Sequence, residues 1–283
     1  MPVYHACVDA HDPAADDDAP ILFAAVIVMA GSGARFGGRV PKVFRHLAGE
    51  PMWAHSVRAF GALPGLTALV LVTSRERADE VRAACSHPLA VVVVGGARRQ
   101  DSVRNGLAAL PAGAAGTAVV AVHDAARPLI RPETILRAVR SAAEHGSGLV
   151  AVPVSDTIKD VADGVVVGTP DRGRLWGAQT PQCFRTELLV RAHAAAEREG
   201  ALATDDAALV ERSGHAVHIV RGDRWNVKIT EAEDLAVAEA VLERRRGHAD
   251  SAGTGSAGRG SAGRAAVSTT RVAETAKETE DLA

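Results

Sequence analysis

From residue 21 to residue 246 the chain repeats one alternation: a short run of apolar or β-branched residues, then a longer stretch with helical spacing. The runs FAAVIVMA (23–30), TALVLVT (67–73), AVVVV (90–94), TAVVAV (117–122), GLVAVPV (148–154) and HAVHIV (215–220) predict strands. The early ones are apolar throughout, the pattern of strands covered on both faces in a parallel sheet. Helices are predicted over 51–62, 75–85, 101–110, 132–145, 186–199, 204–213 and 231–245, with start signals at Pro132–Glu133 and at Thr230 followed by Glu231 and Glu233. The expected fold class is α/β, a doubly wound, mostly parallel twisted sheet. One segment breaks the alternation. In DTIKDVADGVVVGTPDRGR (156–174) two short β-prone runs flank Ala-Asp-Gly, a hairpin-turn signal that predicts a protruding β-arm over about 155–174.

Composition narrows this picture. With 283 residues, 47% of them apolar, the chain can bury the core of one sizeable domain, expected over 21–246. A formal net charge of −2 provides no whole-molecule basic field, so neither nucleic acid nor a membrane is an expected partner and positive charge must act locally. Cys7, Cys85 and Cys183 fit neither a disulfide framework nor paired metal-ligand spacing. The apolar stretch around 21–30 is too short to span a bilayer. The first twenty residues carry Asp9, Asp12 and Asp16 to Asp18 where a signal peptide would carry lysine or arginine, so a cytoplasmic location is expected. His5, Cys7 and His11 lack a fourth metal ligand, and residues 1–20 are expected to be a disordered leader. The Ser-Ala-Gly-Arg drift of 247–283 lacks aromatics and is expected to be a disordered low-complexity tail.

Ligands of doubly wound sheets bind beyond the carboxyl ends of the strands, so the candidate chemistry lies just after each run. After the first comes AGSGARFGGRVPK (30–42), with four glycines, two arginines and a lysine. Gly31, Gly33 and Gly37 miss the dinucleotide spacing by one residue, and Arg39-Val40 stands where a kinase-type phosphate loop needs Lys-Ser or Lys-Thr. What remains is a backbone open to phosphate oxygens with Arg35 and Lys42 bringing charge, or else a glycine-rich surface turn with solvated cations. HDAARP (123–128) puts an acid and an arginine after the fourth run, and GGARRQDSVRNGL (95–107) frees the backbone at Gly95 and Gly96 before Asp101 and Ser102 at a helix start. Taken singly these are a turn-closing ion pair and an ordinary cap.

The ordered set is specific where its members are not. A-G-x-G-x-R, P-K ending seven residues after that arginine, then HDAARP, DTIK, DRGRLWGAQTPQ, ATDDA and NVKIT resembles the 2-C-methyl-D-erythritol 4-phosphate cytidylyltransferases of the non-mevalonate isoprenoid pathway, over about residues 22 to 245. The resemblance implies a Rossmann-like nucleotidyltransferase fold and transfer of CMP from CTP to methylerythritol phosphate, with release of pyrophosphate. It implies catalytic roles for Arg35, Lys42, Arg172 and Lys228, and a CTP site at Ala30, Gly31, Gly33, Gly96 and Ser102. It implies a second-substrate site at Asp124, Arg127, Thr157, Arg172, Thr180, Thr204 and Lys228. It further implies Mg²⁺ or another divalent cation, held mostly through the CTP phosphates with Asp124 as the candidate protein ligand. The last implication is a homodimer in which the arm wraps the neighbouring subunit and delivers Arg172. Met29 departs from the small residue or proline common before this loop, and the residues after 246 are too few for the cyclase domain fused to some relatives. A ribitol 5-phosphate cytidylyltransferase and a non-catalytic nucleotide-binding module are the competing readings. The two alanines of HDAARP count against the first; the presence of Arg35, Lys42 and Lys228 counts against the second.

Overall fold

The computed structural model describes residues 19–31, 40–111 and 118–254. Gly33 and Arg35 therefore lie outside the described residues, as do His5, Cys7 and His11 and the tail beyond 254. In chain order the described strands are β1 (Phe23–Val28), β2 (His46–Leu47), β3 (Glu50–Pro51), β4 (Leu66–Thr73), β5 (Ala90–Val94), β6 (Val119–Asp124), β7 (Ser147–Pro153), β8 (Asp160–Ala162), β9 (Val165–Gly168), β10 (Trp176–Arg185) and β11 (Ile219–Arg221). The described helices are α1 (Met52–Gly61), α2 (Ala78–Ala84), α3 (Arg99–Ala108), α4 (Pro132–His145), α5 (Thr186–Glu199), α6 (Asp206–Arg212) and α7 (Ala232–Thr254). A compact unit ends at Glu243; residues 244–254, the end of α7, belong to a second unit. The helix thus continues past 247, where the sequence predicts the start of a disordered tail.

Seven strands form one sheet in the order β11-β7-β10-β6-β1-β4-β5. All pairings are parallel except the two made by β10. The alternating direction of strand side chains then divides the core. Phe23, Ala25 and Ile27 of β1 join Leu69 and Leu71 of β4 under α1, α2 and α4, while Val26, Val70 and Val72 face α3, α5 and α6 on the other side. This is why the early runs are apolar throughout. Each large side chain buried this way contributes about 1.5–3 kcal/mol, and Phe23, Ile27, Leu69 and Leu71 are fully buried. Met29 is buried as well, and its N–H bonds to Val72 O at 2.8 Å, carrying the sheet one residue beyond β1. α4 begins at Pro132 and ends against Gly146, whose φ of 91° is the left-handed conformation a helix stop favours.

β10 is a strand of the main sheet that the sequence does not predict. Its residues carry no apolar run, and Pro181 argues against a central strand. The strand accommodates it because the ladder to β7 is interrupted between Ala178 and Gln182. The arm is present: β8 and β9 pair antiparallel across Asp163 and Gly164, with φ of 49° and 78°, as a two-residue hairpin turn requires. No helix among the described residues is long and apolar enough to cross a membrane.

Candidate active site

A cavity of about 510 Å³ opens where the carboxyl ends of β1, β5 and β6 meet. Ala30 and Gly31 line it after β1, Gly96 and Ser102 after β5, and Asp124 at the end of β6; Lys42 and Lys228 contribute cations. Among the described residues, a Cβ on Gly31 would meet no atom within 4 Å, so on that side the backbone is open to a ligand. Gly96 is different, because a Cβ there would collide with Asp101 Cβ. Ser102 holds that tight turn: its Oγ accepts from Gly96 N–H at 3.1 Å and donates to Arg98 O at 3.0 Å.

Charge is concentrated on Asp124. Lys228 Nζ donates to its Oδ2 at 2.7 Å and Arg99 Nε to its Oδ1 at 2.9 Å. Burial alone would raise the Asp124 carboxyl; the Arg99 and Lys228 cations outweigh it and hold the group well below the usual carboxylate range. Arg99 reaches a second carboxylate, donating from Nη1 to Asp206 Oδ2 at 2.7 Å. The other Asp206 oxygen, Oδ1, lies 3.0 Å from His193 Nε2. Beneath Asp124 sits a neutral network. Carbonyl oxygens only accept, so His123 Nε2 donates to Arg127 O at 3.2 Å; Nδ1 then accepts from the Thr180 hydroxyl at 3.0 Å. Thr180 Oγ1 in turn accepts from Asp124 N–H at 3.1 Å. Burial pushes His123 down to about 4, against the pull of the Asp124 carboxylate.

A family model described as 2-C-methyl-D-erythritol 4-phosphate cytidylyltransferase matches residues 23–244, most of the chain and every strand described above. The chain belongs to the 2-C-methyl-D-erythritol 4-phosphate cytidylyltransferase family. A cytidylyltransferase of this name from Symbiobacterium thermophilum is 45% identical over 77% of this chain and 92% of that protein. One from Pelotomaculum thermopropionicum is 44% identical over 81% and 98%. Among solved structures, the 4-diphosphocytidyl-2C-methyl-D-erythritol synthase of Anaerococcus prevotii superposes with a TM-score of 0.70 at 26% identity, covering 80% of this chain and all of that one. The cytidylyltransferase of Thermus thermophilus gives 0.63 at 30%, covering 77% and 98%.

Of the positions that the family resemblance marks for the second substrate, Asp124 and Lys228 line the cavity. Thr180 is buried beneath it. The Arg127 guanidinium straps the loop at Asn226 to β10, donating to Asn226 O at 2.7 Å and Ala178 O at 3.3 Å. Thr157 and Arg172 lie exposed along the arm, where Arg172 Nη1 donates to Ser155 O at 3.1 Å, and Thr204 is exposed before α6. A metal implied by the cytidylyltransferase family has a thin donor set here. Asp124 is the one carboxylate lining the cavity among the described residues, and each of its oxygens already meets a cation. A hard dication asks for one or two free carboxylates beside substrate phosphates. These residues do not fit a metal held by the protein itself.

Sequence reasoning missed Arg99, Asp206, His193 and His123. Arg99 and Asp206 lay inside quoted segments, GGARRQDSV and ATDDA, each beside a like-charged neighbour. Which of each pair turns inward depends on helix phase: Arg98 turns out to clasp Asp101 with 2.9 Å bonds from Nε and Nη2, and Asp205 caps α6 by accepting from Ala208 N–H.

Proposed function

We propose that this chain transfers the cytidylyl group of CTP to 2-C-methyl-D-erythritol 4-phosphate, forming 4-diphosphocytidyl-2-C-methyl-D-erythritol and pyrophosphate. The observation that carries the reading is the cavity at the strand ends, where open backbone at Gly31 and the tight turn at Gly96 stand beside Lys42 and an Asp124 pinned between Arg99 and Lys228. A phosphate oxygen of methylerythritol phosphate attacks the α-phosphorus of CTP; the bond from that phosphorus to the α,β-bridging oxygen breaks, and pyrophosphate leaves with the electron pair. The nucleophile is already ionised, so no general base is required, and what the protein supplies is position and neutralisation of charge.

In this reading Ala30, Gly31, Gly33, Gly96 and Ser102 shape the nucleotide pocket. Arg35 and Lys42 meet the triphosphate and the charge that develops as pyrophosphate departs. Lys228 spends one N–H on Asp124 and turns the others to the attacking phosphate. The divalent cation arrives with the nucleotide, as the Mg²⁺ complex of CTP, and is substrate in that sense. Thr157 and Arg172 act from the arm of a second copy in a homodimer. Support for that pairing is the arm's surface: Val161, Val165, Val166 and Val167 are 54–65% exposed in a two-stranded ribbon that has little stability alone. A cytoplasmic setting accords with the free thiols Cys85 and Cys183.

The test supplies Mg²⁺, CTP and methylerythritol phosphate to the purified chain and follows pyrophosphate, with ribitol 5-phosphate as the competing acceptor. Release with methylerythritol phosphate and little with ribitol 5-phosphate is expected. Release only with ribitol 5-phosphate, or none from folded protein, overturns the reading.

A further inference from the structure

We infer that Asp206 and His193, which do not line the cavity, are positioning residues for the transfer reaction and act through Arg99. This rests on the cytidylyl-transfer reading above and extends it to residues that reading does not use. Arg99 is the first residue of α3, Asp206 the first of α6, and His193 lies on α5, so three helices converge on one guanidinium and its partner. Nε of that guanidinium bonds Asp124 and Nη1 bonds Asp206, at 2.9 and 2.7 Å. The planar fork is therefore fixed at two points in two directions. His193 Nε2 then fixes the far oxygen of Asp206, so the anchor cannot swing away with the arginine. Gln182 ties down the same helix start, donating to Asp205 Oδ2 at 2.8 Å and accepting from Ala207 N–H at 2.9 Å.

The consequence reaches the reacting phosphate by way of Asp124. Arg99 and Lys228 share one carboxylate, one on each oxygen. With the guanidinium held in place, Asp124 divides its charge between the two cations and Lys228 keeps capacity for an incoming phosphate. With the guanidinium released, Asp124 is free to turn onto Lys228 and close a two-member ion pair, which competes directly with the acceptor. Stability gives a weaker reason for the arrangement. Asp206 is fully buried, and buried ionic groups of this kind often add nothing over apolar packing.

The experiment is a double-mutant cycle on the full chain, with kcat and both KM values measured for wild type, D206N, R99Q and R99Q/D206N, together with circular dichroism and thermal melting. D206N is expected to lower kcat by about ten- to a hundred-fold, the range for a displaced positioning group. It should also raise KM for methylerythritol phosphate while leaving KM for CTP within about two-fold, and it should cost less than about three-fold further in the R99Q background. A tie that merely holds α6 in place would instead cut kcat by the lost folded fraction with both KM values unmoved, and equally in both backgrounds. That result, or a folded D206N with wild-type constants, overturns the inference. H193L provides the same cycle if D206N does not fold, with a loss of about three- to ten-fold that H193Q, which keeps a donor toward Asp206, recovers in large part. Absence of turnover in the wild type would count against the cytidylyl-transfer reading, so the two failures are distinguishable.

Discussion

His123 ties the stability of the site to pH, and the size of the effect can be worked out. The ring is fully buried and its pKa falls from 6.5 to about 4, chiefly because burial penalises the charged form. Between those two values the unfolded chain binds a proton there and the folded chain does not. Stability therefore rises with pH across this window, is complete above the unfolded value, and is lost as pH falls toward the folded one. Each pH unit of separation is about 1.4 kcal/mol, so the full loss from pH 7.5 to pH 4 is on the order of 3 kcal/mol. Protonation also puts a second N–H at Nδ1, where the Thr180 hydroxyl donates in the neutral form, and so reverses that bond: Oγ1 must turn its hydrogen away and accept from both His123 and Asp124 N–H. The measurement is urea unfolding followed by tryptophan fluorescence from pH 4 to 8, on wild type and on H123Q. Other groups titrate similarly in both proteins, so the difference between the two curves isolates His123. It should be flat above pH 7 and shrink below pH 6 with a limiting slope of about 1.4 kcal/mol per pH unit. Parallel curves across the whole range would refute the reasoning.

Two further outcomes follow from the same geometry. K228M should lower the rate of pyrophosphate release by about a hundred- to a thousand-fold with the fold intact, the cost of losing one preorganised charge-stabilising group; a loss below about five-fold would remove Lys228 from the chemistry. If the arm of one protomer serves the cavity of another, an equal mixture of R172A and K228M proteins, each inactive alone, should regain about a quarter of wild-type activity after subunit exchange, because half the dimers are mixed and each mixed dimer has one intact site. No recovery in a mixture shown to exchange would place Arg172 in its own subunit's site.

Much of the fold was legible because it follows from local periodicity. The runs of β1 and β4 read as doubly covered strands since both of their faces do pack against helices, and Asp163-Gly164 announced the arm because that dipeptide accepts positive φ at low cost. β10 was illegible for the converse reason: its place between β6 and β7 is set by partners distant in sequence, and Pro181 sits where the ladder gives way. The site divides along the same line. Gly31 and Gly96, on loops that follow strands, and Asp124, at the end of one, could be placed from topology, and Lys228 only from the ordered set of motifs, whereas Arg99 and Asp206 are separated by 107 positions and meet only when α3 and α6 are folded. Single-residue motifs rank a charged residue by its neighbours in the chain, and by that measure Arg98 and Arg99 are equivalent. In the folded protein one clasps an exposed turn and the other joins two buried carboxylates, a distinction that exists only once long-range packing has chosen which side of α3 faces the sheet. The residues that bind can thus be read from where the strands end, while those that orient them depend on helices brought together by the core.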